Sequence, residues 1–346
     1  MEKILITGSN GFIGSHLIDF LIDKNFEIYA LDRPSASFHN LTHYTNGKEK
    51  FLKEDKQILY DKYIKIPSNN EKLIFIECDI NNRELLDKII ENVKPNYIFH
   101  LAAQPYIKPS WEDPVYTIET NVIGTINVFE SIKKHQLNTR VLLACTSAEF
   151  GSTANEIKRP LKEDDQLLAV HPYGISKIAS ELLSRQYYLN FGIEGINVRF
   201  FNQTGIRRVN DASSDFIRKV AQIELGLMEP IIEVGNLSPY RDFMAINDTV
   251  RGIWLAATKG KPGDTYHVCS NKKIQIRELL KISLSFSSKD IKIIENAPAK
   301  LRKVDESIII GDNSKIVNEL GFNVSEPLEK TLEDMYNFWL EYYSKN

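Results

Sequence analysis

"ITGSNGFIGSHL", Ile6–Leu17, closes a short apolar run that begins at Lys3 and opens a helical pattern that continues to Lys24. Gly8, Gly11 and Gly14 fall across that junction in a GxxGxxG frame. Glycines there let the chain turn tightly and bring backbone N–H groups close to a pyrophosphate at a helix start. Strand, glycine turn and helix in this order predict a dinucleotide-binding unit, lined by Gly8, Asn10, Gly11, Phe12, Ile13 and Gly14. Asp32, at the end of the next apolar run, is placed to accept from the adenosine ribose hydroxyls and to repel a 2′-phosphate. That favours NAD over NADP, although the neighbouring Arg33 is able to reverse the preference. Asp79 and Ile80, in "CDI" (78–80), follow the third run and are placed to meet the adenine. Asp79 serves equally well as a helix cap.

Working outward, strand patterns at Lys3–Thr7, Glu27–Asp32, Leu73–Glu77, Tyr97–Leu101, Val141–Thr146 and Gly195–Phe200 alternate with helical ones. The helices are expected at Phe12–Lys24, Arg83–Val93, Val115–His135 and Tyr173–Phe191. Continuous apolar strands between helices predict an α/β fold, a doubly wound parallel sheet of the Rossmann type. Ligands of such sheets bind at the C-terminal strand ends where strand order reverses. The segment between Asp32 and Leu73 is too long for an ordinary loop. It is expected to hold a helix around Lys48–Lys62, covering the cofactor edge or a neighbouring subunit, or else to be a solvated insertion. From Asn202 onward a smaller α/β lobe is expected, with helices at Asp215–Leu227, Ile276–Leu284 and Leu328–Tyr343 and an apolar run at Ile231–Val234. The division is therefore 1–201 and 202–346, interleaved if Thr265–Cys269 returns to the main sheet.

The 346 residues are 42% apolar and 26% charged with a net charge of −3, which gives no reason to expect nucleic acid or an anionic membrane as partner. Cys78, Cys145 and Cys269 lie in apolar runs without CxxC spacing and read as reduced core residues, with no metal site. No apolar run is long enough to span a bilayer and no signal peptide is expected, so the cytoplasm is the expected location.

Two further stretches carry chemistry. "YGISK" puts Tyr173 and Lys177 at i and i+4, on one helix face. An ammonium beside a phenol favours the phenolate, which is expected to lower the tyrosine pKa toward neutrality. The same lysine is able to bond the nicotinamide ribose. "CTSAEFG" (145–151) ends a strand with the hydroxyls of Thr146 and Ser147, then Ala148 and Glu149.

Together with "HLAAQ" (100–104) and "TNVIGT" (120–125), these motifs resemble the extended short-chain dehydrogenase/reductase family of nucleotide-sugar epimerases, dehydratases and reductases. Motifs of the second lobe, among them "FNQTG" (201–205), "FIRKV" (216–220), "YRDF" (240–243) and "LRKVDESIIIGD" (301–312), look like the GDP-mannose 4,6-dehydratase and GDP-4-keto-6-deoxy-mannose reductase families. The resemblance implies NAD(P), a nucleotide-sugar substrate, and a homodimer or homotetramer. It implies that Thr146 bonds the sugar C4 hydroxyl, Tyr173 removes its proton, and Lys177 supports both tyrosine and cofactor. Asn121 would be a structural asparagine behind the lysine, or simply a helix residue bonded to backbone. His100 is expected to pack beside the cofactor, where Leu101, Ala102 and Ala103 bring the backbone close. Ser147, Asn202, Arg218, Arg241 and Arg302 would hold the substrate, the arginines by paired bonds to phosphate. For Arg241 an ion pair with Asp242 competes.

The dehydratases of this family carry an acid/base glutamate two places after the threonine, where Ala148 stands here. If the strand continues, residues 146 and 148 share a face and Glu149 points away. If it ends or bulges at Ala148, Glu149 is able to swing inward and restore the function. A 4,6-dehydratase is the leading expectation. A 4-keto-sugar reductase or 4-epimerase is the alternative, and a dinucleotide-binding protein without catalysis is third.

Overall fold

Nine strands hydrogen-bond into one sheet in a computed structural model that describes residues 1–36, 38–46, 57–59, 63–66, 70–301 and 307–345. The N-terminal part supplies β1 (Glu2–Thr7), β2 (Phe26–Asp32), β3 (Gln57–Leu59), β4 (Tyr63–Ile66), β5 (Leu73–Glu77), β6 (Tyr97–His100), β7 (Arg140–Thr146) and β8 (Gly195–Phe200). Between them lie α1 (Phe12–Leu21), α2 (Arg83–Val93), α3 (Ile107–Glu112), α4 (Pro114–Ile118), α5 (Gly124–Lys134), α6 (Thr153–Glu156) and α7 (Pro172–Phe191). After β8 come β9 (Asn202–Thr204), α8 (Ala212–Glu224), β10 (Ile231–Glu233), β11 (Tyr240–Arg241), β12 (Phe243–Ala245), α9 (Ile246–Lys259) and β13 (Thr265–Val268). The chain closes with β14 (Ile274–Gln275), α10 (Ile276–Leu284), β15 (Lys292–Ile294), β16 (Ile308–Ile309), α11 (Ser314–Leu320) and α12 (Leu328–Lys345).

The sheet order is β13-β8-β7-β6-β1-β2-β5-β4-β3, with β13 through β5 parallel. Chain order reverses between β1 and β6, which is where a doubly wound sheet opens its ligand crevice. Both faces are covered, as continuous apolar strands require. Ile4, Ile6, Ile28 and Ala30 pack with α1 and α9 residues on one side. Leu5, Leu31, Ile76 and Ile98 pack with α2 and α5 residues on the other. β13 pairs with β8, so residues 265–268 do return to the main sheet. A separate apolar core joins α8, α10 and α12, built on Ile217, Val220, Leu279, Leu332 and Met335.

Two expectations need correction. The helix expected at Val115–His135 is three pieces: α4, a π-helical turn at Glu119–Ile123, and α5. The wider turn inserts an extra residue without disturbing the apolar spacing on either side, so periodicity does not register it. The helix expected around Lys48–Lys62 meets β3 at Gln57–Leu59, which with β4 extends the sheet antiparallel beyond β5. The rest of that stretch, 48–56 and 60–62, lies outside the described residues. Among the described residues no helix is long and apolar enough to cross a membrane.

Candidate active site

The glycine turn sits at the reversal point. Gly8 follows β1 with φ +69°, and a Cβ there would come within 2.8 Å of the Ala102 nitrogen after β6. A Cβ on Gly14 would come 2.4 Å from the Gly8 carbonyl oxygen. Both positions thus exclude any side chain. Gly11 is the N-cap of α1 and, among the described residues, no side-chain cap bond is made there, so the first-turn amides are open to an external acceptor. This uncapped turn, with no acidic residue in its first turn, fits a pyrophosphate. Asp32 accepts from the Asn10 amide and from the Arg33 amide, each at 2.9 Å. Burial raises the Asp32 pKa against those bonds. Arg33 turns its guanidinium to the Tyr116 hydroxyl at 3.2 Å. Asp79 accepts from the Asn81 amide, but the cap of α2 is Asn82. Ile80 lies against Gly124 at the start of α5, where a Cβ would meet it at 2.6 Å.

One contact of this turn escaped sequence reasoning. Asn40 donates to the Asn10 carbonyl at 2.9 Å, anchored by the buried Phe38 and Leu41. The front of the 33–72 segment therefore packs against the glycine turn. Phe38 and Leu41, three residues apart in a polar stretch, were the legible sign of it.

Thr146, Tyr173 and Lys177 converge. α7 starts with Pro172 after His171, whose ring nitrogen accepts from the Gly174 amide at 3.0 Å. Tyr173 stands near Thr146 at the end of β7. The Tyr173 pKa nevertheless does not fall toward neutrality: burial pushes it up to about 12, against the lowering effects of Thr146 and the nearby Arg208. Lys177, itself buried and lowered by burial, donates to the Ala144 carbonyl at 2.7 Å. Arg208 is a second residue that sequence reasoning missed. It stacks over Phe12 at 5.1 Å and pairs with Asp211 at 2.6 Å, linking the glycine turn to the second lobe.

Asn121 lies in the π turn, where its side chain accepts from the Gln104 amide at 2.8 Å and donates to Ser176 at 2.9 Å. His100 bridges Thr7 at 2.9 Å and Thr125 at 3.2 Å, and its pKa is lowered to about 3, chiefly by burial. A folded pKa below the unfolded 6.5 means that its stabilising contribution is complete above pH 6.5 and lost as pH falls toward 3. His100→Gln should accordingly remove a stability loss of about 1.4 kcal/mol per pH unit below that point, read as wild type minus variant in urea unfolding. A pH-independent difference would contradict it.

At Glu149 the strand has already ended, as the second of the two expectations allows. β7 stops at Thr146, and Ser147–Glu149 form a 3-10 turn closed by a capping box. The Thr146 amide donates to Glu149 Oε1 at 2.8 Å and the Ala148 amide to Thr146 Oγ1 at 3.2 Å. Strand alternation therefore no longer applies, yet the carboxylate turns into the interior, fully buried, with Arg199 Nε 3.4 Å from Oε2. Thr146, Ser147 and Ala148 remain half-buried, a ledge of two hydroxyls and a methyl.

The arginines divide. Arg218 on α8 bonds the Tyr343 hydroxyl at 3.1 Å and stacks on Trp339 at 4.7 Å, so α12 already engages it. Arg241 is largely buried and bonds the Tyr240 carbonyl at 2.9 Å. The Asp242 carboxylate instead accepts from Ser270, Asn271 and Gly311. Asn202 donates to the Asp242 carbonyl at 3.0 Å. Arg302 lies outside the described residues.

A Rossmann sheet with a glycine turn at the reversal point and a Thr–Tyr–Lys set on β7 and α7 defines an extended short-chain dehydrogenase/reductase. Within that class the chain belongs to the GDP-mannose 4,6 dehydratase family, whose model matches residues 5–335. A GDP-mannose 4,6-dehydratase from Yersinia enterocolitica is 25% identical, over 97% of this chain and 93% of its own. A GDP-6-deoxy-D-mannose reductase from Pseudomonas aeruginosa is also 25% identical, over 71% of this chain and 80% of its own. Among solved structures, a UDP-glucuronic acid 4-epimerase from Bacillus cereus, in complex with UDP-glucuronic acid and NAD, superposes with a TM-score of 0.79 at 25% identity, covering 99% of this chain and all of that one.

Proposed function

We propose that the protein acts on a GDP-linked hexose by NAD-dependent oxidation at sugar C4. The observation that carries this is the placement of Tyr173 and Lys177 of α7 against the Thr146 end of β7, in the same sheet whose reversal point holds the glycine turn. The dinucleotide, when bound, supplies the hydride acceptor. Its pyrophosphate falls to the first amides of α1, its adenosine ribose to Asp32, and its nicotinamide ribose to Tyr173 and Lys177. With Arg33 engaged by Tyr116, NAD is preferred over NADP. Thr146 orients the C4 hydroxyl and Tyr173 takes its proton. A phenol at about 12 is a weak base at neutral pH, so Lys177 and Arg208 are the residues able to lower it once sugar is seated. The lobe after residue 201 binds the nucleotide, with Arg241 and Asn202 toward the diphosphate.

Family membership makes 4,6-dehydration the first product to seek. The methyl of Ala148 on the half-buried ledge, with Glu149 turned inward, favours a second reading: C4 redox without elimination, as in a 4-epimerase or 4-keto-sugar reductase. Product mass separates them. Loss of one water from GDP-mannose marks a dehydratase, unchanged mass with inverted C4 an epimerase, and consumption of added NAD(P)H with a 4-keto sugar a reductase. No change with any of these substrates contradicts the proposal.

A homodimer in the cytoplasm completes it. Ile175, Leu182 and Leu189 recur every seven residues on α7 and are 52%, 58% and 68% exposed. α4 packs beside α7 and leaves Val115 exposed. Adjacent unpartnered apolar faces of this kind suit a two-fold interface. Leu182→Glu should convert a dimer to a monomer in sedimentation velocity. A wild type that sediments as a monomer contradicts the dimer.

A further inference from the structure

We propose that Glu149 is a positioning residue, a neutral carboxylic acid that ties the Thr146 end of β7 to the Arg199–Glu181 pair behind it. The inference rests on the sugar chemistry proposed above only for its kinetic reading.

Three elements meet at this point: the turn after β7, helix α7 through Glu181, and β8 through Arg199. All three side chains are buried. Arg199 gives Glu181 two short bonds, Nε at 2.9 Å and Nη2 at 2.6 Å. Glu149 is left with Arg199 Nε at 3.4 Å, and its Oε2 has no other donor among the described residues. A carboxyl oxygen of Glu149 also lies within 4.8 Å of one of Glu181. One guanidinium therefore faces two carboxyl groups. Two buried anions sharing one cation would leave an uncompensated charge, whereas a proton on Glu149 donated to Glu181 removes both the excess charge and the orphaned oxygen. Burial pushes both carboxyls up, but the Arg199 guanidinium holds Glu181 below its usual value while Glu149 is raised.

The other oxygen, Oε1, holds the Thr146 amide, while the Thr146 hydroxyl takes the Ala148 amide and meets Tyr173. Glu149 thus fixes the threonine on which the reacting phenol rests. Cys145 completes a group whose ligand atoms lie within 4.8 Å of one another. Arg199 supplies the cation there, so the cluster is a strut and not a metal site.

The test compares Glu149→Gln and Glu149→Leu. Glutamine keeps an acceptor for Thr146 and a donor for Glu181, so kcat, KM and the pH profile of kcat should stay within about threefold of wild type. Leucine keeps neither, and kcat should fall about tenfold or more with KM for the sugar little changed, because small misplacements of reacting groups are costly. A loss of about 10²-fold or more in Glu149→Gln at unchanged melting temperature overturns the proposal, since that is the size of a lost acid or base. Full kcat in Glu149→Leu overturns it as well. Infrared spectroscopy decides the protonation without turnover. A protonated-carboxyl band should persist at about pH 8 in wild type and vanish in Glu149→Gln. Its absence from wild type contradicts the neutral acid, and an inactive wild type that keeps the band counts against the sugar chemistry alone.

Discussion

Tyr173→Phe should lower kcat on the true sugar substrate by about 10²–10⁴-fold, the range for a positioned acid or base. The half-buried ring stays in place, so the variant removes one oxygen beside Thr146 and leaves the packing of α7 intact. The pH dependence gives a second reading. The phenol stands at about 12 in the unliganded protein, so its deprotonated fraction at neutral pH is small and grows with every unit of pH. Activity governed by Tyr173 should rise with pH on the alkaline side of neutrality, and Lys177→Met should displace that rise to higher pH. Stopped-flow measurement of both variants against wild type checks the two statements together. Retained turnover in Tyr173→Phe, or a pH profile unmoved by Lys177→Met, assigns the proton transfer to another group.

Arg199→Met should lower the unfolding free energy by about 3–5 kcal/mol, the cost of leaving a buried carboxylate without its partner. Against a typical total of about 5–15 kcal/mol this is a large share. Arg199 is 3% exposed, and besides its two bonds to Glu181 it donates to the Glu163 carbonyl at 2.9 Å. The sign with pH follows. Arg199 holds Glu181 below its usual pKa, so the stability it confers is complete above the unfolded value and is lost as pH falls through the folded one. In the variant Glu181 instead rises, and a protonated Glu181 no longer needs the guanidinium. The deficit should therefore be largest near neutral pH and shrink as the solution is acidified. Urea unfolding at about pH 7.5 and about pH 5 measures it. Adding Glu181→Gln to Arg199→Met should recover part of the loss, because the uncompensated charge is gone. A deficit below about 1 kcal/mol at neutral pH would mean that the cluster is not the buried ion pair described here.

The sheet was legible because its strands are continuous apolar runs, a pattern that survives errors of one residue at either end. The glycine turn was legible for a different reason: Gly8 and Gly14 leave no room for a Cβ, so backbone geometry dictates the residue type. For Glu149 the reading left two outcomes open, a strand continuing past Ala148 or one that ends there and lets the side chain turn inward. Yet Thr146-Ser-Ala-Glu149 is itself the S/T-x-x-E capping pattern, and weighing it would have predicted the turn and the inward carboxylate. The partners of Arg218 were not legible, since Trp339 and Tyr343 lie more than a hundred residues away on α12. Arg208 was hidden for a similar reason, because its place over Phe12 depends on how the second lobe folds back over the glycine turn.

The central claim is that hydride leaves sugar C4 while Tyr173 takes the hydroxyl proton. Its most direct test is to mix the NAD-loaded protein with GDP-mannose in a stopped-flow instrument and record reduced-nicotinamide absorbance. The account predicts a transient that slows when C4 carries deuterium and disappears in Tyr173→Phe. A protein that binds both NAD and the sugar but gives no transient, or one insensitive to deuterium at C4, would contradict it.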